Sequence, residues 1–194
     1  MKKSIVFLLL LFTVNLFAQN NLKSGVQPFQ KPNEGKCLVY IVKSGAGALV
    51  NFRAYLDNKF LGVLTSDSYV LTECEPGDHL FWAVSENRDY VEANLLPNKV
   101  YVLNAEGQMG AFVAGVSLNQ LDPKEKSHKN LFARKIQNSS ATVYDPANPD
   151  ADNKAENISK GLAKYEDLKK EKSSKIIQLK SDLCFEDAEK FQKN

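Results

Sequence analysis

Histidine is the scarcest of the residues that carry enzyme chemistry in this chain. Only His79 and His128 occur among its 194 residues, whereas many metal sites and much acid–base catalysis depend on histidine. The chain also lacks the patterns HExxH, G-x-S-x-G and CxxC, and it has no glycine-rich phosphate loop. We therefore expect no catalytic residues, no metal ligands and no cofactor, and we interpret the chain as a non-enzyme.

No apolar run reaches the ~20 residues that a membrane-spanning helix needs. The longest run, Ile5–Val14, follows Lys2 and Lys3 and precedes the small-residue site Leu16-Phe17-Ala18, which is the layout of a secretory signal peptide. A retained membrane anchor is the less favoured alternative, and no cysteine follows Ala18 to carry a lipid. We predict a signal peptide over 1–18, cleavage near Ala18, and a soluble periplasmic or secreted protein with no integral membrane span.

An excess of charge of one sign is also missing. The full chain has 25 Lys and Arg against 23 Asp and Glu. Removal of the signal peptide takes away Lys2 and Lys3 and no acid, so the mature chain is balanced at 23 of each. Proteins that bind nucleic acid normally carry a broad positive field, and we expect no nucleic-acid partner.

The chain has three cysteines, an odd number: Cys37, Cys74 and Cys184. One disulfide and one free thiol are possible in an exported chain, and the sequence does not choose among the three pairings. We favour free, buried thiols, because cysteine behaves as a small hydrophobe and a core of this size needs no covalent link. If a disulfide forms, Cys37 with Cys74 is the candidate pair, since both lie at ends of predicted core strands.

Between residues 36 and 121, short apolar runs are separated by turn residues. Most runs alternate apolar and polar residues, as strands with one buried face do, whereas Cys37–Val42 is apolar throughout, which is typical of a strand covered on both sides. Short turns such as Asp57-Asn58 and Glu75-Pro76-Gly77-Asp78 leave no room for crossover helices. The pattern predicts a mainly β fold, an antiparallel β-sandwich of about eight strands. The runs are Cys37–Val42, Val50–Leu56, Phe60–Leu64, Tyr69–Cys74, His79–Val84, Tyr90–Leu95, Val100–Ala105 and Ala111–Leu118.

The segments that flank residues 36–121 lack this alternation of apolar and polar residues. Residues 19–35 are predicted to form an irregular leader, and residues 122–152 a basic connector and loop. The connector could hold a short helix with Leu131, Phe132 and Ile136 on its apolar face, and we favour a solvated connector over a polyanion site. Its basic residues are Lys124, Lys126, Lys129, Arg134 and Lys135.

Residues 153–194 are predicted to form a helical C-terminal extension. Apolar residues recur there at three- and four-residue steps, which indicates an amphipathic helix that ends near Lys172-Ser173-Ser174. The stripe consists of Ala155, Ile158, Leu162, Tyr165 and Leu168. An apolar tail follows, for which we favour an extended conformation packed on the sandwich. The tail comprises Ile176, Ile177, Leu179, Leu183 and Phe185.

The block from Tyr55 to Tyr101 resembles domain of unknown function family 2846, whose members are small exported bacterial β-sandwiches of the transthyretin-like or PEGA-like kind. The matching positions are Tyr55, Asp57, Asn58, Gly62, Val63, Tyr69, Pro76, Gly77, His79, Asn98, Lys99 and Tyr101. The resemblance covers about residues 36–121, and the tail is similar to an extension seen in some members. It implies a fold and a compartment but brings no catalytic residues.

Several residues carry alternative interpretations. His79 could be a ligand or a base, but its place after Pro76-Gly77 favours a hydrogen-bonding turn residue. Phe81 and Trp82 must point to opposite faces of one strand, so one faces the core and the other is covered by the C-terminal helix or exposed for a partner. Acidic residues cluster near the turns, where solvated turn acids are favoured over a calcium site. They are Asp57, Asp67, Glu73, Glu75 and Asp78.

Two functional hypotheses follow. The favoured one is a non-catalytic, exported interaction or scaffold module of the bacterial cell envelope, whose partner is an unknown envelope protein or glycan. The alternative is a small periplasmic hydrolase that uses paired carboxylates such as Asp57 and Glu73, one of them with a raised pKa in a cleft. A concave pocket lined by converging acids would favour the alternative.

Overall fold

The computed structural model describes residues 25–45, 50–109, 114–142, 144 and 155–192. The predicted signal peptide, its cleavage site and the start of the predicted leader lie outside these residues. Among the described residues, no helix is both long and apolar enough to cross a membrane.

The chain is mainly β, with ten strands in two five-stranded sheets in the described ranges. The first sheet has the order β8-β7-β1-β4-β9 and the second the order β10-β6-β5-β2-β3. The strands are β1 Cys37–Gly45, β2 Phe52–Leu56, β3 Lys59–Leu64, β4 Ser68–Cys74, β5 Gly77–Val84, β6 Arg88–Leu95, β7 Val100–Met109, β8 Ala114–Gln120, β9 Ser140–Thr142 and β10 Ile176–Gln178. The helices are α1 Lys126–Asn138 and α2 Ala155–Lys170.

The alternation of apolar residues puts one face of each sheet into a shared core. Val39 and Ile41 of β1 and Phe81 of β5 belong to the same fully buried cluster, although they come from different sheets. β1 lies in the middle of its sheet and is buried through Lys43, as its continuous apolar run predicts. All eight predicted runs correspond to β1–β8, although the predicted start of the eighth, at Ala111, lies outside the described residues.

Two of the predicted turns use backbone conformations that their residues tolerate. Asp57 joins β2 to β3 with φ of 51°, and Asn98 precedes β7 with φ of 61°. This left-handed region is disfavoured for most side chains, but Asp and Asn visit it because their short polar groups bond locally.

The prediction of an antiparallel sandwich is wrong in its strand directions, because both sheets are mixed. β1 pairs antiparallel with β4 but parallel with β7. Two further parallel pairs join β4 to β9 and β6 to β10. The chain returns to the start of β1 along β4, since Cys74 stands opposite Cys37, and β7 then begins beside Leu38. The whole segment from β2 to β6 is therefore the long connection that this parallel pair needs. Alternation identifies the buried face of a strand but not its neighbour.

Two short strands are additional to the eight predicted runs. Ser140–Thr142 forms β9 within the predicted loop and pairs with Ser68–Val70. Ile176–Gln178 forms β10 in the predicted tail and pairs with Tyr90–Glu92. Three residues are too few for an alternation pattern, so neither strand has a sequence signal of its own.

Each helix covers the outer face of one sheet. Phe132 and Ile136 of α1 pack with Tyr40, Tyr69 and other outer residues of the first sheet. Tyr165 and Leu168 of α2 pack on the second sheet, in a cluster with Tyr55, Phe60, Leu80, Trp82 and Tyr90. Ile158, Leu162, Tyr165 and Leu168 of the predicted stripe therefore form the contact face of α2, whereas Ala155 is exposed. Trp82 lies beneath α2, and Phe81 faces the core.

The extended tail joins the two sheets. After β10, Leu179 enters the shared core, and the Tyr101 hydroxyl contacts the Ser181 carbonyl oxygen at 3.1 Å. Phe185 then packs on the outer face of the first sheet, 4.9 Å from Phe132 between ring centroids. The prediction of an extended apolar tail is confirmed, and the tail packs both in the shared core and on the outer face of the first sheet.

Candidate functional site

A polar cleft opens on the outer face of the second sheet, where α2 stops covering it. We call it the ligand cleft, and its volume is about 410 Å³, within the range of about 300–1,000 Å³ typical of small-molecule sites. The β2–β3 turn, β5, β6, α2 and β10 all contribute to it. Its lining comprises Asp57, Asp78, His79, Leu80, Glu92, Ala93, Asn94, Tyr165, Lys169 and Gln178.

One wall of the ligand cleft is the Asp57–His79 pair. Asp57 Oδ1 accepts a hydrogen bond of 2.8 Å from the Leu80 backbone N–H, and its Oδ2 lies 2.9 Å from His79 Nδ1. His79 Nε2 lies 2.9 Å from the Glu75 carbonyl oxygen. Both ring nitrogens are therefore within hydrogen-bonding distance of groups in the two turns. His79 therefore bonds within the two turns, as its sequence position predicts, and its ring is held rigid.

The opposite wall is organised around Glu92. The Tyr165 hydroxyl and the Gln178 side-chain amide both donate to its carboxylate, and Lys169 Nζ lies 3.5 Å from Oε1. The hydrogen bond from Tyr165 contributes most to a lowered pKa of Glu92, the bond from Gln178 adds to it, and Lys169 lowers the pKa further. Glu92 is thus held ionised, as a hydrogen-bond acceptor and not as an acid.

Cross-strand pairing extends the cleft along β5 and β6. Leu80 stands opposite Glu92, and Asp78 stands opposite Asn94. Leu80 is buried and forms an apolar floor, whereas Asn94 Nδ2 donates to Asp78 Oδ1 at 2.6 Å on the exposed rim. Three carboxylates, those of Asp57, Asp78 and Glu92, and the single lysine Lys169 give the lining of the cleft a negative balance of charge.

The predicted acidic cluster is only partly brought together. Asp57 and Asp78 line the cleft, whereas Glu73 accepts hydrogen bonds from the Asn33 backbone and side chain. Glu75 forms an ion pair with Lys36. Asp57 and Glu73 also belong to different sheets and bind different partners. The remaining histidine, His128, accepts a bond of 3.0 Å from the Asp122 backbone N–H and lies away from the cleft.

Sequence reasoning missed half of the cleft. It placed Tyr165 on the contact stripe of a helix, and it assigned no role to Glu92, Lys169 or Gln178. One signal was present, because Glu92 is a charged residue in a strand that α2 covers, and a half-buried acid needs partners. The described residues contain no cluster of three His, Cys, Asp or Glu side chains that could hold a metal ion.

The three cysteines gather near one end of the shared core. Cys37 and Cys74 stand directly opposite each other in the β1–β4 pair, and Cys184 of the tail packs against the same cluster. All three are free thiols. Burial raises the pKa of Cys37 to about 11, and burial followed by the neighbouring Cys37 raises that of Cys74 to about 12. These thiols remain protonated at neutral pH and are weak nucleophiles.

The fold and the cleft together define a mainly β protein of two mixed five-stranded sheets, with an acidic, preorganised cleft on one outer face. No family model, no curated protein and no solved structure matches this chain. The resemblance to domain of unknown function family 2846 therefore stays a prediction.

Proposed function

We propose that this chain is an exported, non-catalytic binding module of the bacterial cell envelope, built as a β-sandwich, and that its ligand cleft takes a polyhydroxylated ligand, a glycan or an amino sugar. The observation that carries the proposal is the set of cleft carboxylates fixed by hydrogen bonds. Ionised carboxylates accept hydrogen bonds from hydroxyl and ammonium groups, and such charge-assisted bonds are stronger than neutral ones.

The shape of the cleft supports a glycan. An apolar floor at Leu80 lies beneath polar walls, and sugars present both apolar C–H faces and hydroxyl edges. The walls are held by the Asp57–His79 and Glu92–Tyr165 bonds, so little side-chain ordering accompanies binding. The negative balance of the lining favours neutral or amine-bearing sugars over acidic ones.

Hydrolysis is the alternative function, and the electrostatics of Glu92 count against it at this cleft. Glycoside hydrolysis needs one carboxyl group that stays protonated, with its pKa raised. The pKa of Glu92 is displaced in the other direction. Glu73, the predicted partner of Asp57, bonds to Asn33.

Calorimetric titration of the mature protein with soluble neutral and amino-sugar oligosaccharides tests this function. Asp78→Ala combined with Asn94→Ala removes the exposed rim pair, and we expect affinity to fall about tenfold or more, because hydrogen bonds to charged groups contribute about 1.5–3 kcal/mol. Glu86→Gln is the matched control, since Glu86 lies in the turn at the other end of the β5–β6 hairpin. Absence of binding to every sugar would contradict the proposal, and turnover lost on Asp57→Asn or Glu73→Gln would favour the hydrolase.

A further inference from the structure

An ammonium group of the chain itself lies in the ligand cleft. Lys169, in the last turn of α2, is part of the cleft lining. Its Nζ donates a hydrogen bond of 3.1 Å to the Tyr165 hydroxyl and lies 3.5 Å from Glu92 Oε1. Nζ also lies 5.3 Å from the centroid of the Tyr165 ring, within the reach of about 6 Å for a cation–π contact. One cation is thus shared by a carboxylate and an aromatic ring, two groups that also attract the cations of ligands.

The carboxylate and the ring are held in place without this lysine. Tyr165 is only 8% exposed, and its ring lies 5.7 Å from the Tyr90 ring between centroids. Glu92 stands on β6, which has a neighbouring strand on each side. The Tyr165 hydroxyl donates to Glu92 Oε1, and the Gln178 side-chain amide donates to Oε2. Both groups therefore keep their positions when the ammonium of Lys169 moves away.

Lys169 itself is held loosely. Its side chain is 58% exposed, and an exposed ion pair is weak because water screens the charges and a long side chain loses freedom. The 3.5 Å between Nζ and Glu92 Oε1 also exceeds the distance of about 2.7–2.9 Å that is typical of a strong charged hydrogen bond. The hydrogen bond with Tyr165 contributes most to a raised pKa of Lys169, and the charge of Glu92 adds to it. The group is therefore a charged ammonium that leaves the cleft at little cost.

Glu92 has capacity for a new donor. A carboxylate offers about four lone-pair positions. Oε1 accepts from Tyr165 and faces Lys169, and Oε2 accepts from Gln178. In the part of the chain that the structure describes, no second donor bonds to Oε2. An incoming ammonium group, which carries three donors, can therefore take the position on Oε1 that faces Lys169 and the remaining position on Oε2.

We propose that Glu92 and Tyr165 form an ammonium subsite in the ligand cleft, that the free amino group of an amino sugar binds there, and that Lys169 is an internal competitor which this group displaces. The subsite rests on the proposed glycan function and narrows its ligand, because neutral and N-acetylated sugars have no ammonium group. Displacement exchanges one ammonium for another, and the sugar ring gains the apolar floor at Leu80. The released Lys169 ammonium returns to water, where it is strongly hydrated.

A matched pair of ligands tests the subsite on the mature protein. A glucosamine oligosaccharide and its N-acetylated counterpart of the same length differ in the charge of the amino group. Calorimetric titration at one fixed ionic strength gives the affinity of each. We expect the free amine to bind about tenfold more tightly, because hydrogen bonds to charged groups are stronger than neutral ones. We call the ratio of the two affinities the amine preference.

Lys169→Gln tests the role of the internal competitor. We expect it to raise the amine preference by about twofold to fivefold, since an exposed ion pair contributes at most about 1 kcal/mol, which corresponds to about fivefold in affinity. Lys170→Gln is the matched control, because it removes the same charge from the next residue of α2, whose Nζ lies 3.7 Å from Asp167 Oδ1 and not in the cleft. An equal rise in the two variants would mean a general charge effect and would overturn the role of Lys169.

Glu92→Gln removes the charge of the subsite and keeps the size of the side chain. We expect the amine preference to fall to about one, and Lys169→Gln added to Glu92→Gln should then give no further rise, which a double-mutant cycle measures. An unfolding melt of each variant verifies its fold. A rise that persists without the Glu92 charge would contradict competition at this carboxylate.

The remaining outcomes separate the subsite from the proposed function. Equal affinity for the two oligosaccharides would overturn the ammonium subsite and leave the glycan function standing, whereas no binding of either would overturn both. Tighter binding of a glucuronic acid oligosaccharide that is lost on Lys169→Gln would also refute the subsite, because Lys169 would then be the contact for an acidic ligand.

Discussion

Replacement of Gly161 by alanine tests how closely α2 packs on its sheet. A Cβ atom at position 161 would lie 2.4 Å from Cη2 and 2.6 Å from Cζ3 of Trp82, well inside van der Waals contact. Alanine is the better helix former by about 1 kcal/mol. Overpacking of a rigid site costs about 1–3 kcal/mol, and overlaps this severe belong at the upper end. We expect Gly161→Ala to lower the free energy of unfolding by about 2 kcal/mol.

The indole ring cannot relieve this clash by moving. Trp82 stacks on Tyr55 with ring centroids 3.8 Å apart, and its Nε1–H donates to the Asp57 carbonyl oxygen at 2.9 Å. On the helix side, the Tyr90 hydroxyl donates to the Gly161 carbonyl oxygen at 2.7 Å. The close approach of α2 is therefore fixed by stacking and by hydrogen bonds on both sides, and only a glycine fits between them.

Urea unfolding followed by circular dichroism measures the effect in every variant, including those that lack Trp82, the only tryptophan of the chain. Trp82→Phe removes the ring atoms that the new methyl group meets, so the clash should shrink in the double variant, and a double-mutant cycle isolates this coupling. Ala163→Gly, at an exposed position of α2, calibrates the helix propensity alone. A stabilisation of Gly161→Ala by about 1 kcal/mol would refute the packing argument, since propensity would then be the sole effect.

Two further predictions concern the tail and the sheet edge. Phe185→Ala should destabilise the protein by about 3–5 kcal/mol in chemical unfolding, because Phe185 is 3% exposed and packs against Phe132. The same substitution at the exposed Phe191 is the control, and an equal loss of stability in the two variants would contradict a specific role for Phe185. Asp89 Oδ2 accepts a hydrogen bond of 2.6 Å from the Leu118 backbone N–H on edge strand β8, yet burial raises the pKa of Asp89 above 3.8. The folded state therefore binds the Asp89 proton more tightly than the unfolded state does. The stability of the protein, measured relative to the Asp89→Asn variant, should fall as pH rises from below 3.8 through the folded-state pKa of Asp89. A difference in melting temperature between the two proteins that stays constant across that pH range would show that the pKa of this carboxyl does not change on folding.

Local patterns in the sequence were sufficient to predict strands β1–β8 and helix α2. Side-chain alternation marks the buried face of β2 or β6, and the steps from Ile158 to Leu168 mark the face of α2, because both periodicities follow from backbone geometry. The turn at Asp57 has a local chemical cause as well. These features depend on neighbours a few residues away, which the sequence displays directly.

Features that depend on distant pairing were not predictable in this way. The parallel pairing of β1 with β7 depends on how the chain crosses between sheets, and β9 owes its strand conformation to β4. The ligand cleft takes Glu92 from β6, Tyr165 from α2 and Gln178 from β10. This cleft exists only after tertiary packing, so no short motif encodes it.

The tail that joins the two sheets also dictates when the protein can finish folding. Strand β1 gains its second neighbour only when β7 has formed, and β6 gains its second neighbour only when β10 has formed. The Phe185 backbone N–H then donates to the Val100 carbonyl oxygen at 2.8 Å. Pairings between residues so far apart form slowly, because long loops close before any contact rewards them. A chain that emerges N-terminus first, from a ribosome or through a membrane pore, therefore has unpaired strand edges until its C-terminal segment has emerged. Aggregation through these edges is most favoured during that interval.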